Sequence, residues 1–340
     1  MLTIKMPNMM LNQHNNLNEL YLSTLDEVYN HYEFENSPRG FSEREILGFS
    51  CKLRDPRQRF CLHPARKQNI IFNYAEALWY LSGKNDLAFI AWYAPSMSRY
   101  SADGKTLPGT GYGEKLLHFG QQNLNQINRA VDLLKNDDSE SKRVFLQIFN
   151  ADEDLYKRNI DVSCTLGLQL LLREGKLHMV GYMRANDAYV GLLSDIFSFT
   201  FIQEFIAAML GCEVGSYSHQ VGSVHIYENN LAEVARILND VSESLPVQHQ
   251  PPQIPADCDF NTIATVLEAE QVIRQSSLTL AQINRLALPE YWIEILRLFQ
   301  IHKCLRDNQP PPDDLIDAIH PWHQMFLSNR QLLNKQVALI

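Results

Sequence analysis

The run CTLGLQLLLREGKLHMVGYMR at residues 164–184 consists of two apolar stretches separated by the turn-forming sequence REGK. Apolar runs of this length on either side of a short glycine-containing turn predict a β-hairpin. A strongly apolar segment at 198–211, SFTFIQEFIAAMLG, predicts a buried helix, and SVHIYENN after it predicts a further strand. Helices and strands that interleave in this way, without a regular βαβ repeat, predict an α+β fold with a mixed sheet.

The first half of the chain carries three further helix patterns, each with apolar residues near helical spacing. They lie at 17–33, at 69–83, where Gly83 ends the helix, and at 124–137. The sequences ILGFSCKL and RVFLQIFN predict strands before the second and after the third of these helices. The segment APSMSRYSADGKTLPGTGYG at 94–113 predicts a long loop, and such loops inside a compact domain usually carry function.

Four prolines in SLPVQHQPPQIPAD, residues 244–257, mark a change in the composition of the chain. Such a cluster is typical of a domain boundary or an extended linker. We therefore expect one domain at 1–244. At 245–340 we expect a proline-rich linker and a helical C-terminal extension that packs on the core.

The chain is acidic, with 39 Asp and Glu residues against 30 Lys and Arg residues and a net charge of −9. Excess negative charge repels polyanions, so the composition argues against broad binding to nucleic acid or to an anionic membrane. We find neither a secretory signal pattern nor an uninterrupted apolar span of about 18 residues. The six cysteines are scattered without metal-type spacing, so we expect reduced thiols, no metal site and a cytoplasmic location.

Three residues are candidates for chemistry, and each has an ordinary structural explanation when taken singly. Cys164, at the start of a predicted strand, would most often be a buried structural cysteine. A nucleophilic thiolate needs nearby positive charge, which Arg184 offers, although a lone arginine between strands more often forms a salt bridge. His225 in VHIY is, by itself, best explained as a partly buried histidine with its hydrogen bonds satisfied.

The order of these residues resembles the thymidylate synthase superfamily. Its signature runs Pro-Cys-His, then Gln-Arg-Ser-x-Asp-x-x-x-Gly-x-Pro-Phe-Asn, then Gly-Asp-x-His-x-Tyr-x-Asn. This chain has CT at 164–165, RANDAYVGLLSD at 184–195 and GSVHIYEN at 222–229. Upstream, AEALWYLSG at 75–83 and GTGYG at 109–113 are similar to two further family motifs. The resemblance covers roughly residues 20–235.

The resemblance implies a thymidylate synthase fold, in which a mixed twisted β-sheet has flanking helices and packs back to back in a homodimer with shared active sites. It also implies 5,10-methylenetetrahydrofolate as the one-carbon donor. The implied catalytic residues are Cys164, Glu76, Tyr112 and Asp195. The implied nucleotide contacts are Arg39, Lys142, Arg143, Arg184, Ala185, Asp195, His225 and Tyr227. Lys142 and Arg143 would reach the partner subunit's phosphate site, and the implied folate contacts are Glu76, Asp187 and Gly191.

A cysteine at position 164 would explain how pyrimidine C5 becomes reactive. Pyrimidine C5 is a poor nucleophile until a group adds at C6, and a thiolate adding there makes C5 enamine-like. Arg184 is expected to lower the pKa of the thiol and to hold phosphate. By resemblance, Glu76 (through water) and Tyr112 would move protons while C5 attacks the methylene carbon of the folate.

Asp195 is the most informative departure from the family, which has asparagine at this position. An asparagine amide donates to uracil O4 and accepts from N3–H, whereas a carboxylate facing O4 is a mismatch of about 1–3 kcal/mol. Cytosine presents a 4-amino donor and an N3 acceptor, which a protonated carboxyl group matches. Aspartate here is also the mark of the cytidylate hydroxymethylases, so we expect cytosine. The alternative is an aspartate that merely caps the following helix.

Two other departures concern the product and the sugar. The family has a tryptophan in the loop at 94–101 that keeps water from the exocyclic methylene intermediate, whereas APSMSRYS has Ser98 or a neighbour there. Water could then add, giving a hydroxymethyl group and tetrahydrofolate. Ala185 replaces a family serine near the sugar, which we interpret as room for a ribose 2′-OH.

These observations predict a CMP 5-hydroxymethylase, a folate-dependent one-carbon transferase that forms 5-hydroxymethyl-CMP. It would serve nucleotide metabolism, nucleoside-antibiotic biosynthesis or phage-like DNA modification. Three alternatives stay open: dCMP as the substrate, C5-methylation in the manner of thymidylate synthase, and a non-catalytic nucleotide-binding protein.

Overall fold

The computed structural model describes residues 12–245 and 250–333. Its strands are β1 (Gln13–His14), β2 (Phe34–Asn36), β3 (Glu43–Leu53), β4 (Phe145–Gln147), β5 (Thr165–Arg173), β6 (Lys176–Asp187) and β7 (Glu213–Tyr227). They form one sheet in the order β1-β3-β7-β6-β5-β4, with β2 paired to β3. The pairs β1–β3 and β6–β7 are parallel and the others antiparallel. The predicted α+β class with a mixed sheet is confirmed.

Helices cover the sheet and form the C-terminal part of the described chain. They are α1 (Leu17–His31), α2 (Ile70–Leu81), α3 (Leu87–Tyr93), α4 (Tyr112–Leu117), α5 (Gln126–Asp132), α6 (Gly191–Leu210), α7 (Leu231–Leu238), α8 (Phe260–Ser276), α9 (Leu280–Ile283), α10 (Glu290–Arg306), α11 (Asp313–Asp317) and α12 (Pro321–Asn329). The helices predicted at 17–33, 69–83 and 124–137 are α1, α2 and α5. The predicted loop at 94–113 contains a short 3-10 helix, Pro95–Tyr100, and the start of α4.

The predicted hairpin is formed by β5 and β6. Its two turn residues, Glu174 and Gly175, have φ angles of 50° and 72°. Positive φ at both central residues is the backbone of the tight turn that matches the twist of antiparallel strands. The sequence REGK therefore places the glycine where the turn needs it.

Helix α6 crosses the face of the sheet and is its central core helix. The sequence pattern placed its start at 198, but the helix begins seven residues earlier, at Gly191. By length and a mean hydropathy of 1.4 it could span a membrane, yet 78% of that apolar window is buried inside the protein. We therefore identify α6 as the buried helix that was predicted, with Asp195 inside it.

The alternation of buried residues shifts by one position near the ends of β6 and β7. Along β6 the buried residues are Leu177, Met179, Gly181 and Met183, and then Asn186. Along β7 they are Gly215, Tyr217, His219 and Val221, and then the run 224–226. A shift of this kind turns every following side chain to the other face of the sheet. It places Asn186 towards the core and α6, and leaves Ala185 and Asp187 on the opposite face.

The C-terminal helices share a core with the rest of the chain. The Tyr74 hydroxyl of α2 lies 3.0 Å from His323 Nε2 of α12, and the Tyr93 hydroxyl of α3 donates to Glu270 of α8 at 2.7 Å. Before α8, the Ile254 backbone N–H donates to the buried carboxylate of Glu204 at 3.2 Å. These contacts hold the extension against the helices that carry the candidate site; the division at residue 244 stays a prediction.

Candidate active site

Cys164 and Arg184 meet where β5 begins and β6 ends. The Arg184 Nη2 atom lies 3.6 Å from the Cys164 Sγ atom. Arg184 Nε also donates to the carbonyl of Ser163 at 2.9 Å, which orients the guanidinium beside the thiol. The structure thus brings together the predicted nucleophile and the predicted cation.

The pKa of the Cys164 thiol is raised, because burial outweighs the positive charge of Arg184 and Asp195 adds negative charge. Arg184 does lower the pKa of the Cys164 thiol, as expected, but burial has the larger effect and leaves this pKa above its usual value. The resting group is a thiol. A base must therefore take its proton before the sulfur attacks carbon.

Two buried carboxyl groups face the same space. Glu76, on α2, accepts a hydrogen bond from Ser198 Oγ at 2.9 Å, and burial with the nearby Asp195 charge raises its pKa to about 8. Burial likewise raises the pKa of Asp195 to about 7, while Asn186 lowers it and Asp187 raises it. Both groups can therefore carry a proton near neutral pH, which is the property that general acids and bases need.

Asp195 is held by a hydrogen bond from strand β6 and does not cap α6. Its Oδ2 atom accepts a hydrogen bond from Asn186 Nδ2 at 2.7 Å. The side chain at the start of α6 that accepts from backbone N–H groups is Asp187, through Tyr189 at 2.9 Å and Val190 at 3.2 Å. The capping alternative for Asp195 is therefore wrong.

Tyr112 lies at the first position of α4 and is fully enclosed. Its ring stacks on Tyr80 with centroids 4.9 Å apart, and its hydroxyl accepts from Thr165 Oγ1 at 3.1 Å. Burial and then the charge of Asp195 hold the pKa of the Tyr112 phenol well above its usual range. A protonated hydroxyl beside Cys164 and Asp195 can donate to a ligand or relay a proton.

The ends of β3 and β7 present polar atoms that lack partners. The His225 ring packs edge-to-face on Tyr227 with centroids 4.9 Å apart, and its Nε2 atom lies 3.8 Å from Glu43 Oε2. Glu43 is 5% exposed. Its Oε2 atom and His225 Nδ1 are buried without a hydrogen bond to any described residue. Buried polar atoms of this kind mark a place where a ligand can supply the missing hydrogen bonds.

The basic residues predicted to bind the nucleotide phosphate lie in two places. Arg39 is exposed in a tight turn, Pro38–Gly40, with a φ angle of 54°, and its charge lowers the pKa of Cys164 and Glu43, so it lies near the mouth of the site. Lys142 and Arg143 are exposed before β4. Across 12–245 and 250–333 neither contacts the Cys164 group, and their role in a partner subunit stays a prediction.

Gly191 has a steric role that its predicted folate contact did not include. A Cβ atom at this position would lie 3.1 Å from Asn186 Nδ2 and 3.4 Å from Asp195 Oδ2. Glycine therefore lets the Asn186–Asp195 hydrogen bond form against the start of α6. Ala185 pairs with Ser223 on the neighbouring strand, on the same face as Asp187, whose Oδ2 atom accepts no hydrogen bond from the described residues.

The 94–101 segment contains no tryptophan, and the nearest tryptophan in the sequence packs against the C-terminal helices. Trp92, in α3, packs under Lys303 and Arg306 of α10, 5.6 Å and 5.1 Å from its ring. Ser98 lies in the 3-10 helix Pro95–Tyr100. The indole is therefore part of the contact between α3 and the C-terminal helices.

Sequence reasoning did not single out Asn186, His219, Tyr217 or Glu43. Asn186 fills the variable position of the family motif, and His219 and Tyr217 look like ordinary alternating strand residues. A signal existed only for Glu43, as a charged residue beside a predicted strand. Within the described ranges, no three His, Cys, Asp or Glu side chains are grouped to hold a metal ion.

Two curated relatives of the chain are phage proteins. A protein of Bacillus phage SP01 named Deoxyuridylate hydroxymethyltransferase is 29% identical over 254 residues, which is 72% of this chain and 65% of that protein. A protein of the same name from Pseudomonas phage M6 is 31% identical over 183 residues, 53% of this chain and 51% of that protein. The chain thus spans between about half and two thirds of the length of these relatives.

The profile of the family described as Thymidylate synthase matches residues 19–264. This range contains every residue of the site described above and extends into α8. With the mixed sheet and Cys164 beside Arg184, the match leads to one conclusion: the chain belongs to the thymidylate synthase family.

Proposed function

We propose that the chain transfers a one-carbon unit from 5,10-methylenetetrahydrofolate to C5 of cytidine monophosphate, giving 5-hydroxymethyl-CMP and tetrahydrofolate. The observation that carries the proposal is the Asp195 carboxyl group, which is buried beside Cys164 and has a pKa of about 7. A carboxyl group with this pKa can donate a proton to cytosine N3, which an asparagine amide cannot give up.

Cys164 is the proposed nucleophile at C6, and it attacks as the thiolate after its proton has passed to solvent water. As the S–C6 bond forms, the electron pair of the C5–C6 double bond moves to C4–C5, and the displaced pair reaches N3. Asp195 then gives its proton to N3, and the resulting carboxylate accepts from N3–H and from the 4-amino group. Glu76 is placed to accept the proton from C5, because burial raises its pKa to about 8 and makes its carboxylate a stronger base than an ordinary one. Tyr112 stays protonated near neutral pH and can relay a proton through its hydroxyl.

The folate donor would supply an electrophilic carbon when bound. Asp187 fits a pterin, because its Oδ1 atom is taken by two backbone N–H groups and its Oδ2 atom accepts nothing from the described residues. Glu76 and Gly191 are the other proposed contacts. A free carboxylate oxygen in a half-buried site is a suitable acceptor for a pterin N–H group.

Water access supports a hydroxymethyl product. The segment Pro95–Tyr100 has no tryptophan, and Trp92 is held by the cations of α10. With no indole over the reacting carbon, water can add there before hydride transfer. The names of both phage relatives also specify hydroxymethyl transfer.

Deoxyuridylate is the second candidate substrate, because the names of both relatives specify it. Against it stands Asp195, whose carboxyl group differs from the amide that the family uses for uracil. The homodimer is likewise a proposal: Lys142 or Arg143 would complete the phosphate site of the partner subunit from its exposed position. We also propose a cytoplasmic enzyme that binds neither nucleic acid nor membrane.

Two features favour a ribonucleotide. Ala185 leaves room next to the sugar position, and Glu43 has a buried oxygen without a partner 3.8 Å from His225 Nε2. A ribose 2′-OH can donate to that oxygen, whereas a deoxyribose leaves it unpaired. Unpaired buried acceptors are costly, so the pair of residues should discriminate between the two sugars.

Changing Ala185→Ser or Glu43→Gln should lower the ratio of kcat/KM for CMP to that for dCMP by roughly fivefold to thirtyfold, the value of about one lost hydrogen bond. Competition between the two nucleotides in one reaction measures the ratio directly. Glu45→Gln is the matched control, because both oxygens of Glu45 already accept from Ser223 and Asn36. An unchanged ratio in both variants would rule out the ribose assignment.

A further inference from the structure

A chain of buried hydrogen bonds leads from the sheet to Asp195. The Tyr217 hydroxyl lies 2.7 Å from His219 Nδ1, and His219 Nε2 lies 3.1 Å from Asn186 Oδ1. Asn186 Nδ2 then lies 2.7 Å from Asp195 Oδ2. Tyr217 and His219 are 0% exposed and Asn186 is 3% exposed, so these hydrogen bonds lie away from bulk solvent.

The hydrogen bonds of this chain can all be satisfied in only one direction of donation. The Tyr217 O–H has His219 as its hydrogen-bond partner among the described residues, so it donates to Nδ1. His219 is neutral, since burial lowers its pKa to about 3, and its proton is therefore on Nε2 and points to Asn186 Oδ1. Asn186 is left with its amide hydrogens directed at Asp195. The reverse direction would leave the Tyr217 O–H buried without an acceptor.

We propose that Tyr217, His219 and Asn186 form a positioning chain that keeps Asp195 Oδ2 a hydrogen-bond acceptor, so that a proton on this carboxyl group occupies Oδ1. The side chain then presents an edge of fixed polarity to the pyrimidine. This inference rests on the proposed function, in which the edge pairs with cytosine through an Oδ1–H donor to N3 and an Oδ2 acceptor for the 4-amino group.

The positioning chain matters because a neutral carboxyl group can otherwise carry its proton on either oxygen. With the proton free to occupy either oxygen, the same group matches cytosine in one arrangement and uracil in the other. The identity of residue 195 therefore cannot fix the base without a neighbour that decides which oxygen accepts. Asn186 is that neighbour, and the absence of a side chain at Gly191 lets it approach to hydrogen-bond distance.

Disrupting the positioning chain should change the preference between cytosine and uracil in a way that depends on residue 195. In the native background, Asn186→Leu frees the proton to move between the oxygens, and the CMP to UMP ratio of kcat/KM should fall roughly tenfold to a hundredfold. In Asp195→Asn the donor from Asn186 still holds the new amide with its oxygen at the Oδ2 position. Adding Asn186→Leu to that variant lets the amide rotate and present its N–H to uracil O4, so turnover of UMP should rise.

The assay is tritium release from C5-labelled CMP and UMP by the four proteins of this double-mutant cycle, with His219→Phe as a second way to free Asn186. The ratio of the two bases within one preparation does not depend on the fraction of folded enzyme. Ser216→Ala is the control: it removes a hydrogen bond of 3.0 Å to His178 across the same β6–β7 pair, far from Asp195. Its ratio should not change.

The outcomes separate the positioning chain from the base assignment. If the native protein prefers UMP and Asn186→Leu erodes that preference, the cytosine assignment fails and the positioning chain is supported. If Asn186→Leu and His219→Phe lower activity equally with both bases in both backgrounds, their role is only structural and the inference is overturned.

Discussion

Replacement of Cys164 by serine should reduce tritium release from [5-³H]CMP by at least about a thousandfold. The assay reports addition at C6, because only the adduct lets the hydrogen at C5 exchange. A serine hydroxyl at this position ionises far less readily than a thiol and is a weaker nucleophile, and loss of a covalent nucleophile is among the largest single effects known in enzymes. Binding of CMP, followed by calorimetry, should change little, since phosphate and sugar contacts remain.

Cys212→Ser is the matched control, because Cys212 is also a free, partly exposed cysteine but lies at the other end of the sheet, before β7. It should release tritium at the native rate. Release by Cys164→Ser at a rate within tenfold of the native protein would exclude the thiolate adduct. Absence of release by the native protein with any pyrimidine nucleotide would favour a binding protein over an enzyme.

Asp195→Asn should lower kcat/KM for CMP by roughly a hundredfold or more, because the amide cannot pass a proton to N3 during addition. Turnover of UMP should change much less, so that preference moves towards uracil. The same variant should alter the pH dependence. In the native protein the Asp195 pKa of about 7 means that the proton donor is lost as pH rises above that value. The alkaline decline in kcat/KM for CMP should therefore be present in the native protein and weakened in the variant.

The measurement is tritium release from CMP, dCMP, UMP and dUMP between pH 6 and 9 with both proteins, a range of about one to two units around that pKa. Ser198→Ala serves as the control for pH effects of Glu76, since it removes the hydroxyl that donates to Glu76 Oε2 and should leave base preference unchanged. A preference for CMP that survives in Asp195→Asn would show that another residue reads the base.

Much of the site could be predicted from the order of residues along the chain. The motif predicted that Cys164 and Arg184 would meet, and the Arg184 Nη2 atom does lie 3.6 Å from the Cys164 Sγ atom. The hairpin was predictable because REGK places Gly175 at a position with φ of 72°, which few other residues adopt. Local turn chemistry and a specific motif therefore carried information about three-dimensional contacts.

What the sequence did not reveal depends on burial and on the phase of the strands. Near the end of β6 the alternation of buried and exposed residues shifts by one position, which turns Asn186 towards α6. The order of residues in the sequence does not predict this shift. The lowering effect of Arg184 on the Cys164 pKa could be predicted, but the larger, opposite effect of burial could not, because burial of the thiol is not visible in the sequence. The unpaired Glu43 oxygen is likewise a product of packing between β3 and β7.

The most direct test of the proposed activity is to incubate the native protein with CMP and 5,10-methylenetetrahydrofolate labelled in its methylene carbon and to identify both products by mass spectrometry. The expected result is label in 5-hydroxymethyl-CMP together with tetrahydrofolate. Label in a 5-methyl nucleotide together with dihydrofolate, or label transferred to UMP or dUMP but not to CMP, would contradict it.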